Sequence, residues 1–539
     1  MNNISCLLLR LILFAGLIIP ATIMKADAIV TIDGLTYTIV PTTRTATVID
    51  YSSSLPSDVT IPSTVTYNGV EMTVTAIADK AFANCTKLVS ISIPSSVTQV
   101  GTTYTDANGE WVRLPFYGCT SLKSVRFEDG EQKISLGVKY YHYGEGSGLF
   151  RSCPLEEVYI GRNITYADYS SSLTFKWRPS SYGYSAFYNQ PKLAKVTISS
   201  AVTSIPAYLF YKNSTITINE LPKVQVIGVG TFKECSKLTT LNFGTDLVTI
   251  GDSAFEGCKN VTKLTFPNSI TTIGAGAFKD CSSVAEITVG AGLRSIGKGA
   301  FKNCSSFTAL VLPDGFTEMG DSAFYGCEKL TVAKLGESLV AVPAQAFYNC
   351  IALSEMDIPA TATSIGNQAF YNDSTLAVIT MREGLNTIGK EVFWNNSGIT
   401  KFTIPSTVTS IGANCFYGCV NVTSLTFSDG AETLTIDNAY CKSKVINNKT
   451  TDTSNRNRCY DYFYDCPIRT LYLGRNLEYK YSPRISIYDW NGKTFVKTSR
   501  PSSPFANSST LRKITVGPKV TYINNDLANG NYSAIGASL

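Results

Sequence analysis

The stretch Leu238-Thr-Thr-Leu-Asn-Phe-Gly-Thr-Asp-Leu-Val-Thr-Ile-Gly-Asp-Ser-Ala-Phe-Glu-Gly-Cys258 decides how the rest of the chain is read. Leu241 and Phe243 alternate with polar neighbours, the period of two that marks a strand with one buried face. Gly251 then reads as a turn, and Ala254-Phe255 as the centre of a tight helical turn. Outward from this stretch the same frame returns. Phe210, Phe232, Phe255, Phe278, Phe301, Phe324, Phe347, Phe370, Phe393 and Phe416 are 23 residues apart in every step but the first. Five residues before the Phe stands Ile, Val or Met (Ile250, Ile273, Ile296, Met319, Val342, Ile365, Ile388, Ile411), and nine and eleven after it come two apolar residues. Self-similarity at a short fixed period is the signature of a repeat array.

One repeat buries about seven apolar side chains at ~2 kcal/mol each, against an ordering cost of ~1.5 kcal/mol for every residue in it. A repeat alone therefore stays unfolded, and stacked neighbours must supply shared burial and hydrogen bonds between strands. The expected fold is an α/β solenoid of 23-residue leucine-rich repeats, with one long parallel β-sheet, short helical turns, and hairpin-like insertions near both ends. The motif resembles the BspA-like class of bacterial leucine-rich repeats. The opening segment, with Asp33-Gly34-Leu35-Thr36-Tyr37 and Asp58-Val59-Thr60-Ile61-Pro62-Ser63-Thr64-Val65, is similar to the first turn of that family. The resemblance covers nearly all of the chain after residue 28. It implies a surface or secreted protein and, because some members bind host matrix and plasma proteins, a part in adhesion.

The remaining features fit an exported chain. Residues 1–28 carry Arg10, the apolar run Leu11 to Ile19 and a small-residue end at Ala26-Asp27-Ala28, the layout of a secretory signal. The apolar run is broken by Arg10 and Pro20, too short for the roughly 20 residues of a membrane span. The expected location is outside the cell, secreted or on the surface, of a Gram-negative bacterium. A formal charge of +5 over 539 residues gives no nucleic-acid footprint. The layout expected is a signal at 1–28, a capping segment and first repeat at 29–80, repeats with three insertions at 81–220, regular repeats at 221–430, and repeats with two large insertions at 431–539. From Asp526 onward the frame fades without a polar cap, so either the end caps poorly or the natural chain continues.

Fifteen cysteines would ordinarily suggest a disulfide framework. Eleven of them (Cys85, Cys119, Cys153, Cys235, Cys258, Cys281, Cys304, Cys327, Cys350, Cys419, Cys466) instead stand three residues after a repeat Phe, in a slot that elsewhere holds Gln190, Asn213, Asp373, Asn396 or Ser508. A slot that accepts these residues is a small buried position beside backbone groups, and side chains stacked in one direction bridge poorly. Free buried thiols are expected there. Cys441 and Cys459 fall off the frame and flank a polar loop, and are the one pair read as a candidate disulfide.

Five steps between repeat phenylalanines are longer than 23: Phe82 to Phe116, Phe116 to Phe150, Phe150 to Phe187, Phe416 to Phe463 and Phe463 to Phe505. The extra residues all lie between the strand and the next Phe, so they should project from one side of the array, as binding loops of repeat proteins do. The two ends also match each other. Phe127-Glu128-Asp129-Gly130 parallels Phe427-Ser428-Asp429-Gly430, and Gly161-Arg162-Asn163 parallels Gly474-Arg475-Asn476, as if a block of about three repeats had been duplicated. The insertions are aromatic. They hold the candidate binding residues Trp111, Tyr140, Tyr141, His142, Tyr143, Tyr169, Trp177, Tyr182, Tyr184, Tyr462, Tyr481, Tyr488 and Trp490, with hairpin turns expected at Asn108-Gly109 and Asn491-Gly492. Aromatic anchors bury much area for little lost rotamer freedom and suit a protein partner or a sugar ring. They also suit packing of the hairpins onto the flank. The sheet face is the second candidate surface, its outward columns carrying no charge stripe and one short apolar patch at Ala309, Val311, Val332 and Val378.

Signs of chemistry are few. His142 is the only histidine and has no motif around it, so any nucleophilic site must be built on it. No His/Cys cluster has zinc spacing, and no cofactor is expected. Asp106-Ala107-Asn108-Gly109-Glu110 lacks the closing ligands of a calcium loop. The expected function is non-catalytic binding of an extracellular protein, with a glycan-binding module as the alternative and an enzyme as a distant third.

Overall fold

The computed structural model describes residues 27–101, 114–137, 149–166, 186–218, 220–437, 466–480, 487–490, 495–498 and 510–521. The chain divides into two compact units, Met1–Lys192 and Leu193–Leu539. In the first, Ala28–Ile32, Leu35–Val40 and Thr45–Tyr51 form an antiparallel meander turned at Asp33-Gly34, and Thr64–Tyr67 forms a hairpin with Val70–Ile77 turned at Asn68-Gly69. Both turn pairs have positive φ, 47° and 82° in one and 49° and 76° in the other, which bends the chain with the twist of its strands. Val70–Ile77 pairs in parallel with Thr45–Tyr51 on one side and with the short strand Gln99–Val100 on the other. The opening segment thus covers the edge of the array in this unit.

In both units the repeat is a coil that contributes parallel strands to stacked sheets, as the period implies. Each coil carries a second strand as well as the expected one. Beyond the wide strand, such as Lys263–Thr265, lies a two-residue strand, such as Thr272–Ile273, which pairs with Thr249–Ile250 before it and Ser295–Ile296 after it. The glycine that follows keeps the coils close. Gly274 donates its N–H to the Ile250 carbonyl at 2.8 Å, and a Cβ on Gly274 would lie 2.6 Å from the backbone nitrogen of Asp252. The second ladder stops at Glu318–Met319 and resumes at Ala341–Val342, where Pro343 takes the glycine's place and has no N–H to give.

Among the described residues the segment around Ala-Phe holds no helix. Two residues in the left-handed region flank each Phe from Phe210 to Phe416: Ser253 (φ 52°) and Gly257 (φ 77°) around Phe255, Gln345 (φ 57°) and Asn349 (φ 62°) around Phe347. With these reversals alternate N–H groups point to the next coil, while Glu256 and Cys258 donate back to Ser253 and Phe255 at 3.1 Å. Ser253, Phe255 and Gly257 donate to the carbonyls of Ala275, Ala277 and Lys279, all at 2.8 Å. The turn is therefore a third hydrogen-bonded ladder.

Inside these three ladders the phenylalanines stack. In the first unit Phe82, Phe116, Phe150 and Phe187 have ring centroids 5.0–5.4 Å apart. In the second, ten rings from Phe210 to Phe416 run at 5.2–5.8 Å with planes within 18° of parallel. Such pairs contribute about 0.5–1.5 kcal/mol each beyond the area they bury.

The slot three residues after the Phe behaves as a donor site. Ten thiols, from Cys119 to Cys466, donate to the carbonyl of the Phe one coil back, at 3.0–3.4 Å. Gln190 and Asn396 fill the same slot and donate amide N–H groups to Phe150 and Phe370. All described cysteines are free and buried. Cys441 and Cys459 lie outside the described residues.

Asp373 is the exception in this slot. Its Oδ1 accepts the Cys350 N–H at 2.7 Å, while the buried Oδ2 has no partner. Burial holds this carboxyl well above the ordinary carboxylate range, the Cys350 hydrogen bond opposing it weakly. A folded-state pKa above the unfolded value of about 3.9 means that the native chain keeps a proton the unfolded chain loses. Stability therefore falls as pH rises from that unfolded value towards the folded one. Asp373→Asn, which supplies the donor permanently, should stabilise the chain at pH 7 by about 1–3 kcal/mol. The gain should shrink as pH is lowered to 4, and thermal unfolding of both forms at the two pH values measures it.

Candidate functional site

Most of the sequence-derived candidates fall in the insertions and outside the described residues: Trp111, Tyr140, Tyr141, His142, Tyr143, Tyr169, Trp177, Tyr182, Tyr184, Tyr462 and Tyr481. Tyr488 and Trp490 lie on the strand Ile487–Trp490, which pairs antiparallel with Phe495–Thr498 in the register Tyr488↔Lys497 and Trp490↔Phe495. A hairpin therefore flanks Asn491-Gly492.

The described residues fix where the insertions leave the coils. In the first unit the chain departs after Val100, Leu136 and Tyr166, which are register partners in the short-strand ladder. In the second it departs after Asp437 and Lys480, also register partners. Neighbouring parallel strands lie ~4.8 Å apart, so within each unit the insertions start side by side.

Two buried arginines hold these coils together. Arg162 donates to the carbonyls of Ser95 and Pro94 at 2.6 Å, and Arg475 to those of Ser406, Val408 and Pro405 at 2.6–2.7 Å. Each reaches two coils back past a glycine. A Cβ on Gly130 would lie 3.6 Å from Arg162 Cδ, and one on Gly430 3.4 Å from Arg475 Cδ. Burial lowers both guanidinium pKa values to about 10, with Glu128 and Glu383 pulling the other way, so both remain charged at neutral pH. The hydroxyls of Tyr159 and Tyr472 donate to Asp129 and Asp429 on the intervening coils. The matched sequence blocks are thus one staple used twice.

The turn flank of the second unit holds a surface that the sequence reading passed over. The residue directly after the repeat Phe is Lys233, Glu256, Lys279 and Lys302 in four successive coils, then Tyr325, Tyr348, Tyr371, Trp394 and Tyr417 in the next five. The five rings are half-buried and form a ladder, with centroids 4.6, 4.6, 5.8 and 4.0 Å apart. Lys302 caps its start, its Nζ 4.2 Å from the Tyr325 ring centre. Beside the rings runs an amide ladder in which Gln345 donates to Gln368 and Gln368 to Glu391, both at 2.7 Å. The charged half borders an open cavity of about 580 Å³, lined in part by Glu256, Asp280, Ser282, Asn303, Ser305 and Glu328. Glu256 sits between Lys233 at 2.7 Å and Lys279 at 3.0 Å. Burial would raise its pKa, but hydrogen bonds from the two lysines outweigh that and hold it below the ordinary range. The signal for this surface lay in the column after the Phe, which steps from charged to aromatic at Phe324.

The wide-strand face has the alternation expected of it. Thr240, Lys263, Glu286, Ala309, Val332, Glu355, Val378 and Lys401 are exposed, and its charges pair across coils as Lys263 with Glu286 and Arg382 with Asp357. Among the described residues no group of three or more His, Cys, Asp or Glu is arranged to hold a metal ion.

The profile of the BspA type leucine rich repeat region matches residues 63–171, 146–261, 212–331, 248–377, 294–423, 363–488 and 409–533. No curated protein matches the chain. Among solved structures, a leucine-rich repeat protein from Bacteroides ovatus is 25% identical, with 76% of this chain and 94% of that one covered and a TM-score of 0.44. A leucine rich cell surface protein from Faecalibacterium prausnitzii is 22% identical over 74% and 94%, with a TM-score of 0.33. The pneumococcal vaccine antigen PcpA is 16% identical over 84% and 88%, with a TM-score of 0.29.

The staple is testable by itself. Arg475→Met removes the donors of three buried carbonyls, at about 1–3 kcal/mol per orphaned group. A fall in thermal stability is expected, with amide exchange rising at Ser406 to Val408 before it rises around Phe301.

Proposed function

Because the chain belongs to the BspA type leucine rich repeat family, we propose that it is a non-catalytic binding protein, exported to the cell surface or its surroundings, where it recognises an extracellular protein. The observation that carries this reading is the placement of the insertion roots: within each unit they are register partners in the short-strand ladder, on coils clamped by a buried arginine. Loops rooted side by side on a stiff scaffold can present one composite surface. The residues they carry, Trp111, Trp177 and Trp490 among many tyrosines, are those over-represented at the energetic centres of interfaces. The repeated Phe and Cys side chains, in contrast, are consumed by the phenylalanine stack and by the hydrogen bonds between coils.

The purified chain should bind at least one member of a panel of immobilised extracellular-matrix and plasma proteins. A variant with Trp111→Ala, Trp177→Ala and Trp490→Ala, still folded by its unfolding transition, should bind at least tenfold more weakly. Equal binding by the variant would move the site to the wide-strand face, and binding to no protein on the panel would overturn the reading.

A further inference from the structure

We propose that the turn flank of the second unit, from the cavity beside Glu256 and Asp280 onto the tyrosine ladder, binds a linear neutral polysaccharide laid along the array. The surface is separate from the insertions, and the inference does not depend on the function proposed for them.

Three observations carry it. The first is periodicity. The cavity is lined by equivalent positions of successive coils, with Asp280 and Asn303 two residues after the Phe, and Ser282, Ser305 and Glu328 four residues after it. Each coil therefore offers at least one polar side chain, Lys259, Asp280 with Ser282, Asn303 with Ser305, then Glu328, at the ~4.8 Å spacing of parallel strands. A polymer bound along it must present a matching group once per coil. One sugar ring with its glycosidic oxygen advances an extended chain by a comparable distance. An extended peptide advances ~3.3 Å per residue, so it returns to phase only at every third residue and every second coil.

The second is charge. Four cations, Lys233, Lys259, Lys279 and Lys302, stand against four carboxylates, Glu234, Glu256, Asp280 and Glu328, in and beside the cavity. Glu256 is neutralised by two of the lysines, and Asp280 accepts from the Asn303 amide at 2.8 Å. Such a surface has no field to gather a polyanion, while its carboxylates and amides can pair with vicinal hydroxyls.

The third is continuity. The cavity ends at Gly326, beside Tyr325, where the ring ladder begins. The rings there stack face to face, Tyr325 on Tyr348 at 5° and Tyr348 on Tyr371 at 2°. Their faces are taken by one another, so the ladder offers ring edges and hydroxyls as a narrow amphipathic rail, suited to the edge of a sugar chain.

The test is electrophoresis of the full chain through native gels containing mixed-linkage β-glucan, glucomannan, xylan or heparin. Retardation by at least one neutral polysaccharide is expected, and none by heparin. Asp280→Gly with Asn303→Gly should weaken it at least tenfold while leaving unfolding unchanged, because glycine already fills this left-handed slot at Gly257 and Gly326. Ser282→Trp with Ser305→Trp should block it, and changing Trp111, Trp177 and Trp490 to Ala should leave it intact. If no neutral polysaccharide retards the chain, if heparin alone does, or if the glycine pair binds like the parent, the proposal fails.

Discussion

Everything in the repeat depends on the requirement that a buried peptide group find a partner. In a coil of 23 residues with no helix, tight turns such as Glu256 to Ser253 and Cys258 to Phe255 pair some of these groups, and the rest must find partners in the coils on either side. The turn around Phe255 shows the consequence: three N–H groups, those of Ser253, Phe255 and Gly257, all point forward to carbonyls one coil on. They do so with Ser253 and Gly257 at positive φ, and the N–H groups between them, of Ala254, Glu256 and Cys258, turn back to Gly251, Ser253 and Phe255. Once the turn is locked in this way the coils are held at one spacing, and the other repeated features follow from it. Phe rings one coil apart must stack, and a glycine such as Gly274 must stand where backbones of adjacent coils nearly touch.

The cysteine slot belongs to the same requirement. The Phe carbonyl of each coil faces the following coil at the slot, and any side chain there must bring it a hydrogen. A thiol does so weakly but fits the space, and the amides of Gln190 and Asn396 do so strongly. This explains why Cys and Asn share a position although their chemistry has little else in common. Burial raises the thiol pKa at Cys258, Cys281, Cys304, Cys350 and Cys419 well above its ordinary value. The thiolate is the reactive form, so these sulfurs are inert in their places.

The fold was legible where one side chain must recur in every coil. Phe255 and its counterparts stack on one another, so their spacing states the coil length directly. The second ladder was not legible, because two residues such as Thr272 and Ile273 are too few to show a period. The form of the turn around the Phe was not legible for a related reason. Ser253, Gln345 and Glu391 adopt left-handed φ without being glycine or asparagine, and their identities do not announce it. Arg162 and Arg475 were visible as a matched pair of motifs, but their reach of two coils depends on Gly130 and Gly430, residues distant in sequence. The tyrosine ladder could have been found. Its five members sit at the constant spacing already in use, one residue beyond the Phe, on the flank rather than the strand face where columns were sought.

The two candidate surfaces differ in what the scaffold asks of them. An insertion root lies in a hydrogen-bonded strand, so the coil constrains only where the loop begins, and the loop's residues are free of the repeat. The turn flank is the reverse: its side chains belong to the repeat and are placed at fixed steps by the third ladder. A partner of arbitrary shape is best met by the first arrangement, which can vary loop by loop. Only a partner with translational order along the array can be met by the second. The change from Lys302 to Tyr325 at one column shows that this flank varies in chemistry while its geometry stays constant. A single chain can therefore carry a shaped surface and a periodic one without either disturbing the ladders that hold it together.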